Sequence, residues 1–115
     1  MLRADQHRVR HMVDAGRQAL AFADGRRRED LDADRMLSFA LVRCVEIIGE
    51  AAANLSEAAR AEAPQVPWRD VVGMRNRLIH GYFDVDLDLV WDTIAVDLPA
   101  SLAALEPLRV EHDGK

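Results

Sequence analysis

The 115-residue chain contains one cysteine, one tyrosine and, beside fourteen arginines, one lysine. A lone Cys44 excludes an internal disulfide and any zinc site built on cysteines. Lying in an apolar helical stretch, it reads as a buried core thiol. Aromatics are scarce and β-branched runs are short, so Ala, Leu and Val make up most of the apolar half of the composition. Ala and Leu are strong helix formers, and this balance predicts an all-α fold. No apolar run approaches the ~20 residues that span a bilayer. Arg3, Asp5, Arg8 and Arg10 break up any stretch resembling a secretion leader. The expectation is a cytoplasmic protein with no membrane partner. A chain of this length can bury one core and is too short for two.

A shortage of positive charge, net −5, argues at first against a nucleic-acid partner. The distribution says more than the sum. Residues 1–82 carry 13 Arg against 12 acidic residues, a net of +1, while residues 83–115 carry 8 acidic residues against Arg109 and Lys115, a net of −6. Arg offers a planar fork of donors suited to phosphate or carboxylate.

Gly and Pro are few, and they mark the ends of four helical segments. The first spans about Leu2 to Ala23, with Val9, Met12, Val13, Gly16 and Leu20 at steps of three and four. Gly25 and the run Arg26-Arg27-Arg28-Glu29-Asp30 form a polar connection, better read as a solvated loop than as a phosphate contact. The second helix starts near Asp30 or Asp32 as N-cap and carries the stripe Leu37, Leu41, Val45, Ile48, Ala52, Leu55. Beside that stripe lie Glu46, Gly49 and Ala53, small enough at the last two to admit another backbone. Residues 56–63 continue the helix or form a short extra one, until Pro64 and Pro67 force a break. The third helix begins with Pro67 at its first position and stops at Gly81. The fourth, capped by Asp84 or Asp86, runs through Leu87, Val90, Ile94, Leu98, Leu102 and Leu105, with Pro99 kinking it. Short connections favour an up-and-down four-helix bundle over residues 1–108, with 109–115 a frayed tail.

The chemically dense stretch is Gly73-Met74-Arg75-Asn76-Arg77-Leu78-Ile79-His80-Gly81-Tyr82. His titrates near neutral pH and so can give or take a proton. Arg75 and Arg77 are permanently charged, and Arg77 is a candidate contact for an RNA phosphate. Together these groups supply what metal-free RNA cleavage needs: 2′-hydroxyl deprotonation, leaving-oxygen protonation and phosphorane stabilisation. At ~100° per residue, Asn76 and His80 stand about 40° apart, Arg77 and His80 about 60°, but Arg75 and His80 about 140°. The last pair does not stack on one helix face. Either Gly81 loosens the last turn, or the long Arg reaches around, or a second copy of the motif across a symmetric dimer cleft completes the site, the last being the favoured reading.

The pattern Arg75-x4-His80-x-Tyr82 resembles the signature of HEPN-superfamily ribonucleases, specifically the HepT toxins. Similar to that family, too, are Val45-Glu46-Ile47-Ile48-Gly49-Glu50-Ala51-Ala52, the run from Val66 to Asn76, and Gly81-Tyr82-Phe83-Asp84-Val85-Asp86 followed by Leu89-Val90-Trp91. The resemblance implies a homodimeric helical bundle and a metal-independent endoribonuclease without cofactor. It implies Arg75 and His80 as the catalytic pair, with Asn76 assisting. It also implies a toxin paired with a minimal nucleotidyltransferase antitoxin that silences it by AMPylation of Tyr82. A non-catalytic helical partner of such a nucleotidyltransferase is the alternative.

Other candidates rank lower. His7 and His11 sit at i,i+4, a metal-ligand spacing, but no third ligand is arranged with them. Trp68 and Trp91 could stack bases, although burial suits them better. Asp84, Asp86, Asp88 and Asp92 read as caps and a solvated face. Glu46 and Glu50 are expected to pair with Arg, within the bundle or across a dimer.

Overall fold

The computed structural model describes residues 1–78 and 84–109. Its elements are α1 (Arg3–Ala23), α2 (Asp30–Ala33), α3 (Arg35–Ala53), α4 (Glu57–Ala61), α5 (Trp68–Leu78) and α6 (Leu87–Asp92). A π-helical stretch (Thr93–Asp97), α7 (Leu98–Leu105) and a 3₁₀ turn (Glu106–Leu108) follow. The all-α expectation holds. Among the described residues no helix is long and apolar enough to cross a membrane.

Helix α3 is the central element, packing along α1 on one side and α5 on the other. Its stripe is buried from Leu37 through Leu41, Cys44, Val45, Ile48 and Ala52, continued by Leu55 beyond the helix end. Opposite it lie Val9, Met12, Val13 and Ala19 of α1, and Met74 and Leu78 of α5. Val90, Ile94, Leu98, Leu102 and Leu105 close the core from the C-terminal segment. Burial pushes the Cys44 thiol up, so it stays protonated and takes part as a small apolar group.

The second helix does not start where its acidic residues first suggested. Asp30 lies in the short α2, and the chain turns extended at Asp34 (φ −122°, ψ 97°) before α3 begins. Asp34 is the N-cap, its carboxylate accepting from the Leu37 amide at 3.1 Å. Arg26 clamps this corner, contacting Asp34 at 2.9 Å and Asp30 at 3.4 Å. Arg28 reaches Asp32 at 3.1 Å and Asp88 at 2.6 Å. All three arginines in the run therefore pair with carboxylates of their own chain, Arg27 with Glu29 at 4.0 Å. Before them, Gly25 takes φ +73°, the left-handed turn that ends α1.

Residues 56–63 do contain a short helix, α4, with Ser56 as N-cap. Pro67 stands just outside α5, one residue earlier than expected, its carbonyl accepting from the Val71 amide at 3.0 Å. Asp86 caps α6 by accepting from the Leu89 amide at 3.1 Å. Pro99 disturbs the last segment as expected. Proline lacks an N–H and its ring crowds the carbonyl four residues back, here that of Ala95. The backbone responds with the π-helical turn at Thr93–Asp97. The expected helix stop at Gly81 and most of the expected tail lie outside the described residues.

One polar contact is sealed within this fold. Asp5, 2% exposed, accepts from the Ser56 amide at 3.0 Å and the Ser56 hydroxyl at 2.7 Å. The same hydroxyl oxygen accepts from the Ala59 amide at 3.1 Å, so one serine caps α4 and anchors α1. The Ser56 hydroxyl, then its amide, hold the Asp5 carboxyl below the usual carboxylate range. A folded-state pKa below the unfolded one stabilises the fold above the unfolded value, about 3.9, and loses that stabilisation as pH falls through the folded value. Asp5→Asn should therefore flatten the acid-side loss of unfolding free energy below about pH 4, read by urea melts at stepped pH. Leu41→Ala, at a fully buried position, should cost about 2–5 kcal/mol in the same assay.

Candidate active site on helices α3 and α5

The start of α5 is fixed by Trp68. Its indole N–H donates to the carbonyls of Arg60 (3.1 Å) and Ala63 (3.0 Å), which ties α5 to the end of α4. The ring is half-buried against the core, a packing role rather than a free stacking platform. Trp91 likewise packs against the core. From Trp68 onward, Met74 and Leu78 turn inward. Val72, Arg75 and Asn76 face α3 across a groove of ≈ 470 Å³.

Glycine makes that groove narrow. A Cβ placed on Gly49 would lie 3.5 Å from the Val71 carbonyl oxygen, an ordinary contact for a methyl and a collision for anything longer. The close approach brings the α5 side chains onto the polar edge of α3. Glu46 of α3 lies 3.7 Å from Arg75 Nε and 3.6 Å from Arg43 Nη1. Of the two settings expected for Glu46, pairing within one chain is therefore realised. The Arg75 contact engages the Nε edge of the guanidinium. Among the described residues its two terminal Nη groups have no protein partner, and the side chain is 59% exposed. A guanidinium held by its inner edge, with the outer fork open, is placed to receive a phosphate. Glu50 lines the same groove.

Arg77 lies elsewhere. It projects from another flank of α5, lines a separate cavity beside Val96 to Leu105, and donates to the Asp70 carbonyl at 3.2 Å. Two positions beyond Arg75 amounts to about 200° around a helix, which explains the separation. His80 and Tyr82 lie outside the described residues. Arg75 and Asn76 are thus the expected site residues that the structure brings together. Sequence reading overlooked Arg43 as a wall of this groove. Its spacing to Glu46 was visible, but its position between α1 and α5 depends on the tertiary packing.

The chain is similar to known proteins over most of its length. The pattern of the family described as Ribonuclease HepT-like matches residues 12–108, nearly the whole helical domain. The chain belongs to that family. A probable ribonuclease HepT of Thermococcus cleftensis is 41% identical over 81 residues, covering 70% of this chain and 74% of that protein. A candidate RNase of Caldanaerobacter subterraneus is 45% identical over 71 residues, 62% of this chain and 63% of that protein. A candidate RNase of Methanocaldococcus jannaschii is 34% identical over 87 residues, 76% of this chain and 72% of that protein. No solved structure matches the chain significantly.

The Gly49 contact gives a direct check on the geometry. Gly49→Ala should be tolerated within about 1 kcal/mol, since a methyl fits and Ala favours the helix. Gly49→Leu should force α5 away from α3 and destabilise the fold by about 1–3 kcal/mol, read by denaturant unfolding.

Proposed function

We propose that this protein is an endoribonuclease, the toxin of a toxin–antitoxin pair, using Arg75 and His80 without a metal ion. The observation that carries the reading is the Arg75 guanidinium. It is held by Glu46 on its Nε edge and open at its fork, in a groove of a chain that belongs to the Ribonuclease HepT-like family. In this mechanism Arg75 binds the scissile phosphate and stabilises the charge that gathers on its oxygens as the 2′-oxygen attacks. His80 moves the proton, taking it from the 2′-hydroxyl or giving it to the leaving 5′-oxygen. Asn76, beside Arg75 on the groove, orients the phosphate through its side-chain amide. Arg77, on the other flank of α5, contacts a neighbouring phosphate of the RNA.

Arg75 and His80 stand about 140° apart around a regular helix, so one protomer does not offer both to one phosphate. A homodimer with two motifs facing a shared cleft resolves this. Met36 (83% exposed) and Phe39 (65% exposed) lie on α3 a turn or two before the groove, an apolar surface that such a dimer would cover. The partner protein in this reading is a minimal nucleotidyltransferase. AMP placed on Tyr82, two residues from His80, would add bulk and negative charge where the RNA phosphate must pass.

Cleavage of cellular RNA in EDTA should fall about 10²–10⁴-fold in His80→Ala and by a comparable factor in Arg75→Ala. Both variants should keep a cooperative unfolding transition, because Arg75 is a surface ion pair worth about 1 kcal/mol or less. Wild-type protein that is dimeric, unmodified and still inert toward RNA would sink the proposal. Co-expression with the nucleotidyltransferase should add the mass of AMP to wild type and none to Tyr82→Phe.

A further inference from the structure

A second groove of ≈ 490 Å³ runs between α1 and α3, bordered by His7, Arg8 and His11 on one side and Arg43 on the other. Arg43 and Glu50 line both this groove and the one that holds Arg75. Residues 43, 47, 50 and 54 follow one another at steps of four, three and four, so they share the side of α3 and its C-cap that borders this groove, away from the buried stripe. The two grooves thus adjoin across the exposed edge of α3, with Arg43 and Glu50 as walls common to both.

The chemistry of the second groove is cationic in a chain whose net charge is −5. Two guanidiniums, that of Arg43 also paired with Glu46, line it against the one carboxylate of Glu50, with two imidazoles beside them as hydrogen-bonding groups. Arg10 stands behind His7, with Nη2 at 2.9 Å from the ring Nδ1. A ring that accepts at Nδ1 carries its proton on Nε2 and donates from there. Ala4, Ile47 and Ala51 are the aliphatic residues of the wall. Donors spaced along a groove suit a single strand held through its phosphates, with the carbon surface between them left for its sugars and bases.

We propose that the α1–α3 groove is the track for the RNA segment flanking the scissile phosphate, with Arg8, His11 and Arg43 as backbone contacts. The inference rests on the ribonuclease reading and extends it, giving the substrate as single-stranded RNA several nucleotides long. Glu50, on the wall common to both grooves, repels phosphate and so sets where the backbone can sit.

The test uses 2′-O-methyl RNA, which lacks the attacking hydroxyl and stays intact on the full-length protein. A ten-nucleotide strand reaches the second groove, and a three-nucleotide strand occupies the Arg75 groove alone. Arg8→Ala with His11→Ala should weaken ten-mer binding about tenfold and three-mer binding less than twofold. Arg8→Ala should lower the log–log salt slope for the ten-mer by about 0.7, one single-strand phosphate contact, and Arg8→Lys should restore it. Glu50→Gln should tighten the ten-mer. Unchanged ten-mer affinity in the double variant, with its unfolding midpoint preserved, overturns the track. So does a changed sedimentation mass of the free protein, which would assign the groove to a second copy. So does weaker capture of the nucleotidyltransferase with RNA binding intact, which would assign it to a protein partner. Failure of the three-mer to bind wild type would instead count against the ribonuclease reading itself.

Discussion

Helix α3 meets α5 across a glycine, and the width of that contact decides where the polar groups of the candidate site fall. With 3.5 Å from a Gly49 Cβ to the Val71 carbonyl, the two backbones approach as closely as a methyl would permit. A larger side chain would lift α5 away, and Arg75 would then no longer lie beside Glu46. Beside that contact, Leu41, Val45, Ile48 and Ala52 of α3 are buried in the core shared with α1, α5 and the C-terminal segment. One helix thus has to present large apolar groups to one neighbour, almost nothing to another, and charge along the edges between them. The packed core sets α3 in place, and the edges inherit their geometry from it.

Charge is used in two ways that the overall sum hides. Carboxylates at the corners are tied down: Asp34 by Arg26, Asp86 to the Leu89 amide, Asp88 by Arg28, and Glu106 by Arg17. Arg109 reaches back to Asp14 at 3.2 Å and draws the end of the described chain onto α1. Each exposed pair contributes little by itself, but together they fix where the connections run. Along α3, by contrast, Arg43 and Arg75 share one carboxylate, Glu46, and Glu50 lines the same groove, so charges of both signs stand close together there.

Much of this was legible in the sequence, for identifiable reasons. The apolar steps of α1 and α3 gave both helices, and Asp86 and the paired prolines marked ends that the chain respects, whereas the Ser56 cap emerged only in the structure. Gly49 and Ala53 could be recognised as a place for another backbone to approach. Less visible was the N-cap of α3. Three aspartates, Asp30, Asp32 and Asp34, compete there on equal local terms. The choice is settled by Arg26, whose reach to Asp34 depends on the turn at Gly25. The placement of Arg77 could be anticipated from helix geometry alone, because two residues turn the chain by about 200°. Which cavity it would face could not, since that depends on how the π-helical turn and α7 sit against α5. The groove along α1 was hidden for a similar reason. His7, Arg8 and His11 are remote in sequence from Arg43, and only packing of α1 against α3 joins them.

Helix α5 has a lopsided environment. It rests mainly on α3, only Met74 and Leu78 of its described residues are buried, and a cavity of ≈ 330 Å³ separates its other flank from the C-terminal segment. Helices with few apolar contacts and a void alongside lie at the low end of the local-unfolding hierarchy. The segment that carries Arg75 and Asn76 should therefore exchange its amide protons before the α1–α3 pair does. In the toxin reading proposed above, Arg75 and Asn76 then sit on the part of the fold that a binding partner would most readily order or release.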